Sequence, residues 1–191
     1  VSYILIGLSV AIYLLQVLTN WQLGFDLPAA LGMKVNSLID NGQYWRLFTP
    51  ALLHGSPLHI FFNMYALYVI GFGIEKRFGH FRFALLYLCG AFGGNVVSYL
   101  MSANNSLGAS TAIFGLLGAE LVFYTKNRKL FGPNAKRAIQ QVATIAVINF
   151  VIGLTPGIDN WGHLGGFIGG IIFSWLAGPV LQFVVEYPVI R

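Results

Sequence analysis

The sequence predicts an all-α membrane protein: a bundle of six transmembrane helices with a long interfacial first loop. Three observations predict it. Hydrophobic residues make up 57% of the 191-residue chain and charged residues only 9%. A soluble domain carries about 25% charge, so too little polar surface remains here for a water-soluble globule. Six stretches of roughly 17–25 largely apolar residues, the length a bilayer-spanning helix needs, follow one another along the chain. The basic residues gather in two of the connections between them. A single polytopic membrane domain over residues 1–191 accommodates all six.

The first span covers about 3–19. The chain begins at Val1 rather than Met, which is read as the trimming of an N-terminal part. No small-residue cleavage pattern follows the first apolar run, so no cleavable signal peptide is expected. Residues 20–50 hold Trp21, Phe25, Leu31, Met33, Tyr44 and Trp45, too apolar a set for a solvated linker. This loop is expected to lie in the membrane interface, partly helical and packed on the bundle. The remaining spans cover about 57–74, 82–102, 109–125, 138–154 and 161–178. Cys89 is the sole cysteine, which excludes an intramolecular disulfide and a cysteine-based metal site. It is expected to be a small buried hydrophobe.

Charge sets the direction. Lys76, Arg77 and Arg82 follow span two; Lys126, Arg128, Lys129, Lys136 and Arg137 follow span four. These are eight of the eleven basic residues, so both loops are expected in the cytoplasm, together with both termini. No aromatic-and-basic motif accompanies them, which argues against nucleic acid as a partner. The long first loop, the turn before Ser110 and the Thr155–Asn160 turn then face outward.

That topology brings four polar residues on three spans to one depth: His59, Asn63, Ser110 and His163. Ionisable and polar groups in hydrocarbon are costly and mark function. A lone membrane serine usually bonds a carbonyl one turn back, and a lone histidine usually bridges two helices. The flanks change that reading. Gly108 and Ala109 leave the backbone bare before Ser110, at a helix start whose free N–H groups suit an oxyanion. Gly162, Gly166 and Gly170 form one small-residue ridge beside His163, and Gly165 and Gly169 form another. Span four answers with Ala112, Gly115, Gly118 and Ala119. Close packing of the two spans predicts a Ser110–His163 hydrogen bond, the minimum for nucleophilic catalysis. Phe114, one turn after Ser110, is placed to support the imidazole. His59 and Asn63 share a helix face and supply the neutral donors of an oxyanion hole.

No third triad member is evident. Asp159 is four residues before His163 but in a Pro-Gly turn, expected in water. Zinc chemistry of intramembrane proteases requires an HExxH helix, which is absent, and His54 and His59 are five apart. Aspartyl chemistry requires two intramembrane aspartates, whereas Asp26, Asp40 and Asp159 all fall in loops. A transporter would call for paired intramembrane carboxylates and repeat symmetry, neither of which is present. Glu120, near the inner end of span four, suits a snorkelling or interhelical contact. Arg46 and Glu75 lie at opposite ends of the membrane and are expected to fix loops by bonding backbone groups.

Several ordered motifs between Gln43 and Gly178 resemble the rhomboid family of intramembrane serine proteases. They are Trp45-Arg46; His54 and then HIFFN from His59 to Asn63; Gly71 with Glu75-Lys76-Arg77; GASTAIFG from Gly108 to Gly115; and GHLGGFIGG from Gly162 to Gly170. The resemblance implies a six-helix rhomboid-like bundle around a water-filled cavity that opens outward. It implies Ser110 as nucleophile and His163 as general base. It implies His59, Asn63 and the Ser110 N–H as the oxyanion donors, with Gly108, Phe114, Gly166 and Gly170 supporting. No metal or cofactor is implied. The expected partners are transmembrane protein substrates, with a small residue before the scissile bond, and the lipid bilayer. The expected location is a bacterial plasma membrane. Two departures stand out: Thr111 follows the serine where many members have glycine, and is expected to narrow the site; Phe114 stands where some have tyrosine. The competing expectation is a catalytically inactive rhomboid-like protein that binds membrane clients.

Overall fold

Apolar segments in lipid must satisfy their backbone groups internally, which favours helices throughout. The computed structural model describes residues 1–181, and every named element among them is helical. Helix α1 (Ser2–Leu23) stops at Gly24, whose φ of 77° turns the chain out. Asp26 caps α2 (Leu27–Gly32) by accepting the Ala29 N–H, and α3 (Asn36–Asp40) follows. Two 3-10 turns, Tyr44–Leu47 and Thr49–Leu52, complete the first loop. It is therefore partly helical, as its composition suggested.

Ser56 caps α4 (Pro57–Ala66), which passes through a π turn (Leu67–Gly71) into α5 (Phe72–Phe78). Then come α6 (His80–Met101), α7 (Ser110–Lys126), the short α8 (Arg128–Phe131), α9 (Pro133–Ile152) and α10 (Asn160–Ala177). The stretches Ser2–Leu23, Pro57–Phe78 and His80–Met101 are each long and apolar enough to cross a membrane. The other three long helices, α7, α9 and α10, have 17, 20 and 18 residues. Helix α9, where the fifth span is expected, begins at Pro133 rather than near 138, because proline at the first helical position extends it into the basic loop. The expected cytoplasmic C-terminus lies outside the described residues.

Helices α6, α7 and α10 form the centre, and glycine makes their contacts possible. A side chain on Gly115 would meet the Gly90 Cα at 2.7 Å, and one on Gly165 would meet the Gly93 carbonyl oxygen at 2.5 Å. Side chains on Gly166 and Gly170 would overlap the carbonyl oxygens of Thr111 and Gly115. Thr111 is buried, and it fills the space that a side chain at Gly94 or Gly162 would need. It thus packs between α6 and α10, and the expected narrowing of the site by this residue does not follow from its placement. Cys89 corrects another expectation: it is exposed, on the outer face of α6. Its carbonyl, not its thiol, meets α10, lying 2.9 Å from where a side chain on Gly169 would begin.

Charged side chains fasten the periphery to backbone. Arg46 donates to the carbonyls of Met33 (2.7 Å) and Ala30 (2.8 Å) and to Gln43 Oε1 (2.7 Å). Glu75 accepts from the Ser2 N–H (2.8 Å) and Oγ (2.6 Å), joining α5 to α1. Glu120 pairs with Arg77 at 2.8 Å, and the guanidinium lies over Phe123 and Tyr124. Glu120 is thus an interhelical contact.

Gly170→Leu is expected to destabilise the protein by about 3 kcal/mol, the upper end for overpacking, because backbone rather than a flexible side chain blocks the new atoms. Thermal unfolding in detergent should show a Tm several degrees lower. An unchanged Tm would show that α10 can move away from α7 without cost.

Candidate active site

Ser110 opens α7, so its N–H belongs to a first turn that has no intrahelical acceptor. The chain reaches it through Gly108, whose N–H donates to the Pro50 carbonyl at 2.9 Å. Gly108 has φ 138°, and a side chain there would meet the His59 ring at 2.8 Å from both Cε1 and Nε2. Glycine is needed twice over: for the backbone angle and for the approach of the imidazole.

His163 lies in the first turn of α10 and is 8% exposed. Its Nε2 is 2.9 Å from Ser110 Oγ. The Phe114 ring stacks on the imidazole, with centroids 4.3 Å apart and planes 9° from parallel. The hydroxyl can donate to Nε2 if the neutral ring carries its proton on Nδ1. That Nδ1 is buried and has no hydrogen-bond partner among the described residues.

The second polar pair is on α4. His59 Nδ1 accepts from the Gly55 N–H at 3.4 Å, so the neutral ring carries its proton on Nε2, the nitrogen turned toward Gly108. Asn63 is 7% exposed and donates one Nδ2 proton to the His59 carbonyl at 2.9 Å. An amide nitrogen has a second proton to give. Both residues are neutral donors of the kind that stabilises developing negative charge.

The structure thus joins Ser110 to His163, Phe114 to His163, and His59 to the Gly108 backbone. Gly166 and Gly170 contribute at a distance, as the contact surface of α10 on α7. Asp159 is a correction. It is half-buried and caps α10, Oδ1 accepting the Gly162 N–H at 2.9 Å and Oδ2 a short hydrogen bond from Ser98 Oγ. The signal was available: Asp ahead of an apolar glycine-rich run is a helix-start pattern.

His54 stands among the family motifs and is excluded above as a zinc ligand, but the sequence assigns it no structural role. It is 1% exposed, and its ring meets that of His59 edge-on at 5.2 Å. Gln16 of α1 brackets its backbone, Oε1 accepting the His54 N–H (3.1 Å) and Nε2 donating to the His54 carbonyl (3.2 Å). A glutamine inside an apolar span is the signal that could have found this anchor. Among the described residues, no three His, Cys, Asp or Glu side chains gather as metal ligands.

Comparison with known proteins agrees with this arrangement at the level of family. Residues 41–180 match the rhomboid domain model. The chain is 38% identical over 178 residues to the protein named Rhomboid protease GluP of Bacillus subtilis (strain 168), covering 93% of this chain and 34% of that one. It is 34% identical over 158 residues to RHOMBOID-like protein 9, chloroplastic, of Arabidopsis thaliana, covering 82% of this chain and 36% of that one. It is also 35% identical over 138 residues to Inactive RHOMBOID-like protein 8 of the same plant, covering 72% of this chain and 39% of that one. The chain belongs to the rhomboid family, a class of multi-helix membrane proteins. It spans little more than a third of the length of these relatives.

Burial pushes the His54 imidazole down to about 4, with the neighbouring His59 acting in the same direction. A folded-state value below the unfolded one, near 6.5, means that the folded state binds fewer protons in that interval. The stability His54 contributes is therefore present above pH 6.5 and is lost as pH falls toward 4. The Tm of the wild type should fall across that window, and His54→Gln should fall less steeply. Parallel curves for the two proteins would refute the assignment.

Proposed function

We propose that this protein is a serine endopeptidase of the membrane interior. Six helices cross the bilayer as one domain: α1, the joined α4 and α5, α6, α7, α9 and α10. The basic loops face the cytoplasm and the Ser110 end faces outward, in a bacterial plasma membrane. The first loop lies in the outer interface. The observation that carries the reading is the 2.9 Å contact of Ser110 Oγ with His163 Nε2, at a helix start bordered by bare backbone.

In this mechanism His163 Nε2 takes the Ser110 proton as Oγ attacks the scissile carbonyl. The oxyanion is held by the Ser110 N–H, the His59 Nε2–H and the free Asn63 amide proton. Collapse breaks the C–N bond, and the leaving amine takes the proton from His163. Water then hydrolyses the acyl-enzyme by the reverse proton route. The substrate is a transmembrane protein whose helix is unwound near the outer boundary, because a helix hides its carbonyls in internal hydrogen bonds. A small residue before the cut would fit beside Gly108.

The name of the inactive Arabidopsis relative keeps a second reading in view, a membrane-client binder without catalysis. Retention of both Ser110 and His163, in contact, supports the enzyme instead.

Ser110→Ala should abolish cleavage of a transmembrane substrate in liposomes with no loss of Tm, and should abolish fluorophosphonate labelling. His163→Ala should lose comparable activity, and the double variant should be no slower than either alone, since the two act as a unit. Cleavage by Ser110→Ala at the wild-type rate would overturn the assignment of Ser110 as nucleophile, whereas a wild type that binds transmembrane proteins without cleaving or labelling would favour the client-binding reading.

Asn63→Ala should lower kcat roughly 10–1000-fold, the range for one lost oxyanion donor, with little change in KM. His59→Ala should behave similarly. Unchanged kcat with weakened binding would assign this helix face to holding substrate.

A further inference from the structure

The His163 ring needs a fixed orientation, yet nothing among the described residues accepts a hydrogen bond from its Nδ1. In a three-membered arrangement the acceptor on Nδ1 sets both the tautomer and the ring angle. Here stacking on Phe114 fixes the ring plane but leaves the ring free to slide within it. Whatever holds the first turn of α10 must supply the rest.

Asp159 is built for that. Its carbonyl accepts the His163 N–H at 3.1 Å, and its Oδ1 accepts the Gly162 N–H at 2.9 Å. Both bonds enter the turn that carries the imidazole. Its Oδ2 is held from the side by Ser98 Oγ, near the outer end of α6. The same Ser98 is gripped from behind. Lys34, between α2 and α3, is fully buried, and its ammonium donates to the carbonyls of Ser98 (3.2 Å), Ser102 (2.9 Å) and Asn104 (2.8 Å). Among the described residues, no acid lies within ion-pair distance of Lys34. Burial lowers its pKa and the charge of Asp159 raises it, so the carboxylate is the anion that this buried cation senses.

We propose that Asp159 is the positioning residue of His163, working through the start of α10 rather than through the imidazole, with Ser98 and Lys34 holding it in place. The inference rests on the dyad reading. A chain of contacts thus leads from the first loop to the base: Lys34 to the α6 terminus, Ser98 to Asp159, Asp159 to the turn of His163. The carboxylate does not touch the reacting atoms. It sets where they are.

The test uses the whole chain in liposomes, with kcat and KM for a transmembrane substrate, the fluorophosphonate labelling rate per folded molecule, and Tm. Asp159→Ala should lower kcat and labelling about 10–100-fold, in line with the cost of misplacing a catalytic group, while KM stays within about twofold. Asp159→Asn keeps an oxygen for the Gly162 N–H and an amide for Ser98, and should recover kcat to within about threefold of wild type. Ser98→Ala leaves the cap in place and removes only its lateral hold. It should cost several-fold in kcat with little change in Tm, and it decides the matter if Asp159→Ala fails to fold. Wild-type kcat in Asp159→Ala or Ser98→Ala, or an Asp159→Asn as impaired as Asp159→Ala, would overturn the proposal. Ser110→Ala is the reference: turnover surviving there would fell the dyad reading itself, a result distinct from any of these.

Discussion

The approach of α6, α7 and α10 to backbone contact is the constraint on which the rest depends. Lipid tails are as apolar as leucine, so no hydrophobic force draws these helices together; packing at close range must do it. Gly115 sits with Gly90 on one side and the backbone around Gly166 and Gly170 on the other. The Ser110–His163 distance is a by-product of that fit. At 2.9 Å it can lengthen by only about 0.6 Å before it ceases to be a hydrogen bond. One added methyl group at the seam exceeds that tolerance. The glycines are therefore not merely permissive. They set the distance between two side chains that lie on different helices more than fifty residues apart.

Much of this geometry is legible in the sequence, because small residues at a spacing of four leave a mark that needs no alignment to read. The Ser110–His163 contact follows from two such ridges, and the Phe114 stack follows from a one-turn spacing. The contribution of α6 leaves the same kind of mark, in Gly90, Gly93 and Gly94. What the sequence does not disclose is where a loop charge goes when it turns inward. Lys34 looks like any surface lysine until its three carbonyl acceptors are visible, and Asp159 looks solvated until Ser98 is found beside it. Such partners are more than sixty residues apart and share no periodicity. Cys89 failed for a related reason: in a membrane protein the apolar face that is exposed and the one that is buried have the same composition.

The loops are held by a common device. Arg46 places side-chain N–H groups on carbonyls at the end of α2, and Lys34 and Asn36 place theirs on carbonyls at the end of α6. Helix termini leave carbonyls unpaired, and a region poor in water must pair them by other means. A cation that spreads several donors over several carbonyls does so with one side chain. Antiparallel pairing of Lys34 with Ser106 adds a backbone tie in the same place, four residues before Ser110. The first loop is thus part of the frame around the site rather than a connection between spans.

The π turn at Leu67–Gly71 divides one long helix into two reading frames. A wider turn acts as an inserted residue, so everything after it is rotated by about 100° relative to an unbroken helix. His59 and Asn63 lie in the first frame and Glu75 in the second. Counting in fours from Asn63 therefore gives the wrong face for Glu75, which reaches Ser2 of α1 instead. One continuous segment serves two unrelated neighbours, and a register error in either half stops at the turn.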